Sequence, residues 1–309
     1  MGAGWAVGGL AGCATAGSAS PVVTSPAAGV TRVQLGTVAA TSVSDGFAVR
    51  PLAATFVRNA PLDAVQAALR DQGLPTDNLT VPFMPLVVQA GNERVLFDTG
   101  NGEFGAPTSG KLVANLAAAG IAPDSITSVV FSHFHGDHIN GLRNKAGELV
   151  FPKAKVFVPA PEWDWWMDDA RMAAAPEAMK GAFAATRRVF GPLASTVRRF
   201  TPGQEVVPGI ASLPAFGHTP GHTVFLTTGG SRKLMFWADT TNVAALFVRN
   251  PDWQVQFDMD PEAARITRRR LADMVVKEQL LLAGYHLPGS AIGTLAVKGN
   301  GYEFTPLSA

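Results

Sequence analysis

Four side chains able to bind a metal fall together in the stretch Phe131-Ser132-His133-Phe134-His135-Gly136-Asp137-His138. Imidazole and carboxylate form the ligand set that suits zinc and its first-row neighbours. The apolar run Ile126 to Phe131 leads into them, and a loop at a strand's end lets alternate side chains converge on one point. Such a pattern arises by chance in a chain of this composition with a probability on the order of 1 in 10,000, so histidines merely satisfied in a core are set aside. Further candidate ligands follow in chain order. Gly217-His218-Thr219-Pro220-Gly221-His222 puts two histidines on a Gly/Pro-rich turn, Phe236-Trp237-Ala238-Asp239 ends an apolar run in a lone carboxylate, and Gly284-Tyr285-His286-Leu287-Pro288 does the same with a lone histidine. The chemistry such a set offers is hydrolysis by a metal-activated water. A Gly-x-Ser-x-Gly elbow is absent from the sequence, which argues against a serine esterase of the α/β-hydrolase type.

The elements that must position these residues read as short strands with helices between them. Strand-like runs are Val33 to Ala40, Val81 to Ala90, Arg94 to Phe97, Ile126 to Phe131, Lys155 to Val158, Ala211 to Phe216, Thr223 to Thr228 and Lys233 to Trp237. Helical spacing covers Ser109 to Ala119, with Ser109 as cap, and Pro261 to Leu282, where Arg268, Arg269 and Arg270 read as a solvated face. An Ala/Met/Trp-rich helical stretch near 160–192 reads as an insertion. Hydrophobic residues at 47% against 16% charged leave material for a sizeable core and exclude disorder for most of the length. The 25 basic and 24 acidic side chains nearly cancel, so nucleic acid is not an expected partner. One cysteine excludes a cysteine-rich zinc ribbon. No window holds the roughly 18 apolar residues of a membrane-spanning helix. Residues 1–30 read as a signal-like or disordered segment, with Leu10-Ala11-Gly12-Cys13 resembling a lipoprotein cleavage box and Ala14-Thr15-Ala16 a competing cleavage site. Export is the expectation, with Cys13 a candidate lipid anchor and a cytoplasmic protein the alternative. Residues 31–309 read as one domain.

His-x-His-x-Asp-His, then Gly-His-Thr-Pro-Gly-His, then a strand-terminal Asp and a strand-terminal His, with Phe97-Asp98-Thr99-Gly100 upstream, resemble the metallo-β-lactamase-fold hydrolases over roughly residues 32 to 306. The resemblance implies an α/β (α+β) fold, a four-layer αββα sandwich. It also implies two divalent metal ions, Zn2+ first and Mn2+, Co2+ or Fe2+ as alternatives. One would be bound by His133, His135 and His222, the other by Asp137, His138 and His286, with Asp239 bridging. His218 is then expected beside the ligands or as a turn former, and Asp98 as the acceptor that orients a ligand histidine through its ring N–H. Asp137 and Asp239 are the expected catalytic carboxylates, with Asp137 steering a metal-bound hydroxide or accepting its proton.

Within that family the chain looks most like the methyl parathion hydrolase and quorum-quenching lactonase branch, which implies lactone, aryl ester or phosphotriester substrates, export and a homodimer. The chain departs from the best-known lactonases, because neither Tyr285 nor Tyr302 stands where their active-site tyrosine follows the bridging aspartate. By resemblance Phe104 and Trp166 are the expected pocket contacts, while the other reading of the tryptophans Trp163, Trp165 and Trp166 is packing or a dimer contact. A thioesterase or β-lactamase on the same metals, and a non-catalytic exported metal-binding protein, are the competing functions.

Overall fold

The computed structural model describes residues 21–228 and 232–308. Cys13 and the two cleavage motifs lie outside the described residues. Strands β1 (Val22–Ala27), β2 (Val30–Leu35) and β3 (Val38–Val43) form an antiparallel meander. The hairpin β4 (Gly46–Pro51) and β5 (Asn78–Phe83) leaves it. Strands β6 (Leu86–Ala90), β7 (Glu93–Phe97), β8 (Ser128–Val130), β9 (Lys155–Pro159) and β10 (Arg198–Phe200) complete a first sheet in the order β1-β2-β3-β6-β7-β8-β9-β10. The second sheet runs in chain order through β11 (Glu205–Val207), β12 (Ile210–Pro214), β13 (Thr223–Thr227), β14 (Leu234–Phe236), β15 (Leu281–Ala283), β16 (Ile292–Lys298) and β17 (Gly301–Pro306).

Strand periodicity sorts the apolar side chains into three cores. Because successive residues of a strand face opposite ways, Val95 and Phe97 of β7, Leu234 and Phe236 of β14, and Leu281 and Ala283 of β15 meet between the sheets. Their neighbours face outward. Leu96 and Val129 pack under helices Leu112–Ala118, Ala160–Trp166 and Glu177–Phe190 through Leu112, Trp166, Phe183 and Phe190. On the far side, Met235 and Leu282 pack under Leu271 and Val275 of helix Pro261–Lys277. The result is helix, sheet, sheet, helix: the four-layer αββα sandwich.

Several boundaries differ from the sequence expectation for local reasons. Residues 22–27, read as part of the tail, pair with β2 at the sheet edge. The run Val33 to Ala40 is two strands, because Gly36 takes a left-handed φ of 70° and turns the chain back on itself. The run Val81 to Ala90 breaks at Pro85, which has no N–H for a ladder, and Met84 N donates instead to Tyr285 O at 2.9 Å. A helix not expected from the sequence covers Leu62–Arg70. The helix expected from Ser109 starts at Leu112, since the cap is distant: Leu112 N donates to the Asp45 carboxylate at 3.0 Å. Helix Pro261–Lys277 is capped by the Asp260 side chain, which accepts from Ala263 N, with proline at the first position. It ends before Leu282 because Gln279 takes a φ of 52° and the chain enters β15. No helix among the described residues is long and apolar enough to cross a membrane.

Candidate metal centre

Strand direction brings the candidate ligands to one edge of both sheets. Strands β7, β8 and β9 are parallel, so Asp98, just past β7, and His133 to His138, past β8, emerge side by side. Strands β14 and β15 are also parallel, so Asp239 and His286 leave the second sheet together. Strand β13 is antiparallel to β14, and the histidine turn that precedes β13 therefore starts at that same edge. Thr223 N donates to Ser132 O at 3.0 Å and ties the two edges together. Two residues adopt a left-handed backbone here, Asp98 with φ 58° and Ala238 with φ 44°. For a non-glycine residue this costs roughly 1–2 kcal/mol, and at both positions it turns a carboxylate toward the centre.

Two groups of potential donors form. His133, His135, His218 and Asp239 bring one ligand atom each within 4.8 Å of one another, and so do Asp137, His138 and His286. The Asp239 carboxylate lies between them: Oδ1 is 3.0 Å from His138 Nε2, while Oδ2 is 3.1 Å from His286 Nε2 and 3.3 Å from His218 Nε2. Asp137 Oδ2 is 3.7 Å from His138 Nε2 and 3.6 Å from His286 Nε2.

One nitrogen of each of four rings is anchored to an acceptor, which leaves the other for the centre. His138 Nδ1 donates to Asp98 Oδ2 at 2.8 Å, His286 Nδ1 to Pro82 O at 2.7 Å, and His218 Nδ1 to Asp258 Oδ1 at 2.9 Å. His133 Nδ1 meets Ser132 Oγ at 2.9 Å, and that hydroxyl donates onward to Asp98 Oδ2 at 2.8 Å. This is the anchoring that fixes tautomer and ring orientation in metal sites. His133 Nε2 is buried without a hydrogen-bond partner, and His138 Nε2 and Asp239 Oδ1, 3.0 Å apart, meet only each other, outside good hydrogen-bond geometry. Leaving such atoms unpaired costs about 1–3 kcal/mol each. Convergent, unpaired nitrogen and carboxylate donors fit divalent cations.

The electrostatics follow from burial and the shared carboxylate. Burial, with the neighbouring rings His138 and His218 adding to it, holds His133 and His135 well below the usual imidazole range. Burial also works against a charged His138, but Asp239, Asp137 and Asp98 outweigh it and hold that ring well above the range. For His218, hydrogen bonds to Asp239 and Asp258 overcome burial and lift the pKa to about 9. Burial would raise Asp239, yet His286 and His138 hold it well below the usual carboxylate range.

Residues 85–286 match the sequence profile of the metallo-β-lactamase superfamily. The chain belongs to the metallo-β-lactamase superfamily. It is 27% identical over 175 residues to the N-acyl homoserine lactonase AiiA of Bacillus thuringiensis subsp. kurstaki, a match covering 56% of this chain and 60% of that relative's length. Its fold superimposes on AidC, a dizinc quorum-quenching lactonase solved with the product N-hexanoyl-L-homoserine, with a TM-score of 0.85, 26% identity, and coverage of 91% of this chain and 98% of AidC. The hydrolase AbOPH of the same superfamily has a TM-score of 0.84 at 23% identity, covering 91% of this chain and 98% of that one.

The superfamily site in this chain corrects three sequence expectations. His218 rather than His222 joins the first donor group. Both nitrogens of His222 are spent on backbone: Nδ1 donates to Ala215 O at 2.9 Å and Nε2 accepts from Asp239 N at 3.1 Å. No lone pair is left for a metal, and burial followed by repulsion from His218 drops its pKa to about 3. His222 instead holds the backbone of Asp239. Phe104 does not line the cavity; it is 37% exposed, with the Arg188 guanidinium 3.7 Å over its ring. Trp166 does line the cavity. Arg268, read as solvated, is 2% exposed and reaches Asp258.

Sequence reasoning missed Asp258, Arg268 and Glu162. Glu162 Oε1 accepts from Thr219 Oγ1 and, at 3.3 Å, from Gly221 N, clamping the histidine turn from helix Ala160–Trp166. Burial pushes its pKa up to about 8. Tyr285 packs its ring 3.8 Å from that of His138 and donates its hydroxyl to Asp137 O at 2.5 Å.

Proposed function

We propose that this chain is a dinuclear metal-dependent hydrolase that opens lactones, with aryl esters and phosphotriesters as further substrates of the same chemistry. The observation that carries the reading is the Asp239 carboxylate shared between two donor groups on the floor of a cavity of about 810 Å³. His133, His135 and His218 would hold one ion, Asp137, His138 and His286 the other, with Asp239 available to both. The ions, zinc by the preference of this donor set, supply Lewis-acid polarisation of the carbonyl and a water of lowered pKa.

The chain's own side chains do the remainder. Asp137 lines the cavity with its side chain 28% exposed, whereas that of Asp239 is 5% exposed. Asp137 Oδ2 is therefore the carboxylate oxygen that can take a proton from the attacking water and return it to the leaving alkoxide. Burial, reinforced by the surrounding carboxylates, holds the Tyr285 phenol well above its usual range, so it stays protonated and fixes the Asp137 backbone. Val81, Phe83, Trp166, Met179, Phe257 and Met259 line the cavity and offer an apolar wall for an acyl chain or an aryl leaving group. The lactonase AidC, with its homoserine product, supports a lactone as the first choice.

Stripping with a chelator is expected to abolish turnover of an N-acyl homoserine lactone and of a chromogenic aryl ester, and zinc to restore it. Chelator-insensitive turnover overturns the mechanism. Turnover of a β-lactam or a thioester with none of a lactone replaces the substrate assignment by the competing one, and inactivity of the zinc-loaded protein on every substrate favours a non-catalytic metal-binding protein.

A further inference from the structure

Three arginines stand in a row on helix Pro261–Lys277, and they do different things. Arg269 is paired with Asp252 at the surface and Arg270 donates to Pro214 O from an exposed position. Arg268 points the other way, into the protein. Its Nε donates to Thr240 O at 2.8 Å, Nη1 to Pro251 O at 3.0 Å and Trp253 O at 2.7 Å, and Nη2 to Asp258 Oδ2 at 3.3 Å. Four acceptors thus converge on one planar fork. Two of them lead directly to the donor cluster. Asp258 holds the Nδ1 of His218 through its other oxygen at 2.9 Å, and Thr240 is the residue that follows Asp239. The remaining two fix the segment that leads into Gln256, Phe257, Asp258 and Met259, which line the cavity.

We infer that Arg268 is a positioning residue for the first donor group, setting His218 through Asp258 and Asp239 through the Thr240 carbonyl. A buried guanidinium is costly unless its donors are satisfied, and here it serves as the brace for one half of the metal centre. The second group is reached by it only through the shared Asp239, because His138 is anchored by Asp98 and His286 by Pro82 O. Lysine cannot substitute, because an ammonium is a point donor without the planar fork.

This inference rests on the proposed metal centre, and its test reads metal binding rather than turnover. The full-length protein is stripped and titrated with zinc against a chromophoric competing chelator, with a His286→Ala variant marking which of two binding steps belongs to the second group. Arg268→Met and Asp258→Asn are each expected to weaken the other step by about 10–100-fold, as loss of an orienting partner does; Asp258→Asn leaves the marked step within about threefold, and Arg268→Met, which also reaches the shared Asp239, weakens the marked step by less than the other one. Arg268→Lys is expected to behave like Arg268→Met, and the Arg268→Met/Asp258→Asn pair to lose little more than Arg268→Met alone, because Asp258 lies on one of the two routes that Arg268 braces. Cobalt-loaded protein gives a second readout, in which the visible bands of only one of the two ions shift. Full affinity in Arg268→Lys overturns the fork argument, and equal weakening of both steps together with a lower melting temperature reduces Arg268 to scaffolding. Should Arg268→Met fail to fold, Asp258→Asn and Arg268→Lys decide alone. A wild type that binds no zinc overturns this inference and the metal-centre reading together. Selective loss of one step in a protein inactive on every lactone leaves this inference standing and removes only the substrate reading.

Discussion

The two histidines of the Gly-His-Thr-Pro-Gly-His turn should fail in opposite ways when removed. In His222→Ala, two buried backbone groups lose their partner, the carbonyl of Ala215 and the N–H of Asp239. At about 1–3 kcal/mol for each buried unpaired group, the metal-free protein loses roughly 2–6 kcal/mol. At about 2 °C for each kcal/mol in a chain of this size, its melting temperature falls by roughly 4–12 °C. In His218→Ala the carboxylates left behind keep other partners, Asp258 the Arg268 guanidinium at 3.3 Å and Asp239 the His286 ring at 3.1 Å, and only His135 Nδ1, 3.0 Å from the removed ring, is left unpaired, so the metal-free protein melts closer to the wild type. Metal affinity should rank the other way. His218→Ala removes a donor atom and should weaken one zinc-binding step by about 100-fold or more, whereas His222→Ala acts only through the Asp239 backbone, with the roughly 10–100-fold ceiling of an outer partner. Calorimetry of chelator-stripped protein and competitive zinc titration measure the two orders. If one variant is the worse in both, the division of labour between these rings is refuted.

Glu162 gives a pH prediction of definite sign. Its folded-state pKa of about 8 lies above the ordinary 4.5, so the folded state keeps a proton that the unfolded chain gives up, and stability falls as pH rises from about 4.5 to about 8; the bound is on the order of 4–5 kcal/mol. Glu162→Gln cannot ionise, and its melting temperature should depend less on pH across that window; parallel curves would count against the burial argument. Gly141 lies where a Cβ would sit 1.9 Å from Thr99 O, so Gly141→Ala must push the Asp98–Gly100 segment off the His138 loop. A loss of about 1–3 kcal/mol or more is expected, together with weaker binding at the second metal position in the zinc titration.

The mixed strand-and-helix order and the placing of the ligand residues at strand ends were legible because both depend on local pattern, whereas the four-layer sandwich came from the family resemblance. Alternation at Val95-Leu96-Phe97 and Leu234-Met235-Phe236 distributes side chains between two cores, and ligand-type residues directly after such runs can only emerge at a strand's end. What stayed hidden was set by partners far away in sequence. Nothing near Leu112 announces that its cap is Asp45. Likewise, His218 and His222 sit in near-equivalent contexts, each after a glycine, and are told apart by what their nitrogens meet: at Nδ1, Asp258, far along the chain, for one and the nearby Ala215 carbonyl for the other. With its Nδ1 held by a carboxylate, His218 turns Nε2 into the donor cluster, 3.3 Å from Asp239 Oδ2 and 3.0 Å from His135 Nδ1, while the second nitrogen of His222 accepts from the Asp239 backbone.

Arg268 is a different case, because a signal for it was present and was masked by a stronger one. Three consecutive arginines suggest a solvated face, yet the buried positions of that helix are Ala264, Arg268, Leu271, Ala272 and Val275, separated by four, three, one and three residues, which is the spacing of an inward-facing helical stripe. Arg268 occupies a place in that stripe where an aliphatic side chain would be expected, whereas Arg269 and Arg270 fall outside it. A charged residue in the apolar stripe must find acceptors inside the fold or the helix cannot pack. That requirement alone points to a buried carboxylate or a set of free carbonyls behind the helix, and here those acceptors are the ones that brace His218 and Asp239. Reading charge by its helical phase, rather than by its run length, places Arg268 inside the fold from the sequence; that its acceptors belong to the metal centre comes only with the long-range contacts to Thr240 and Asp258.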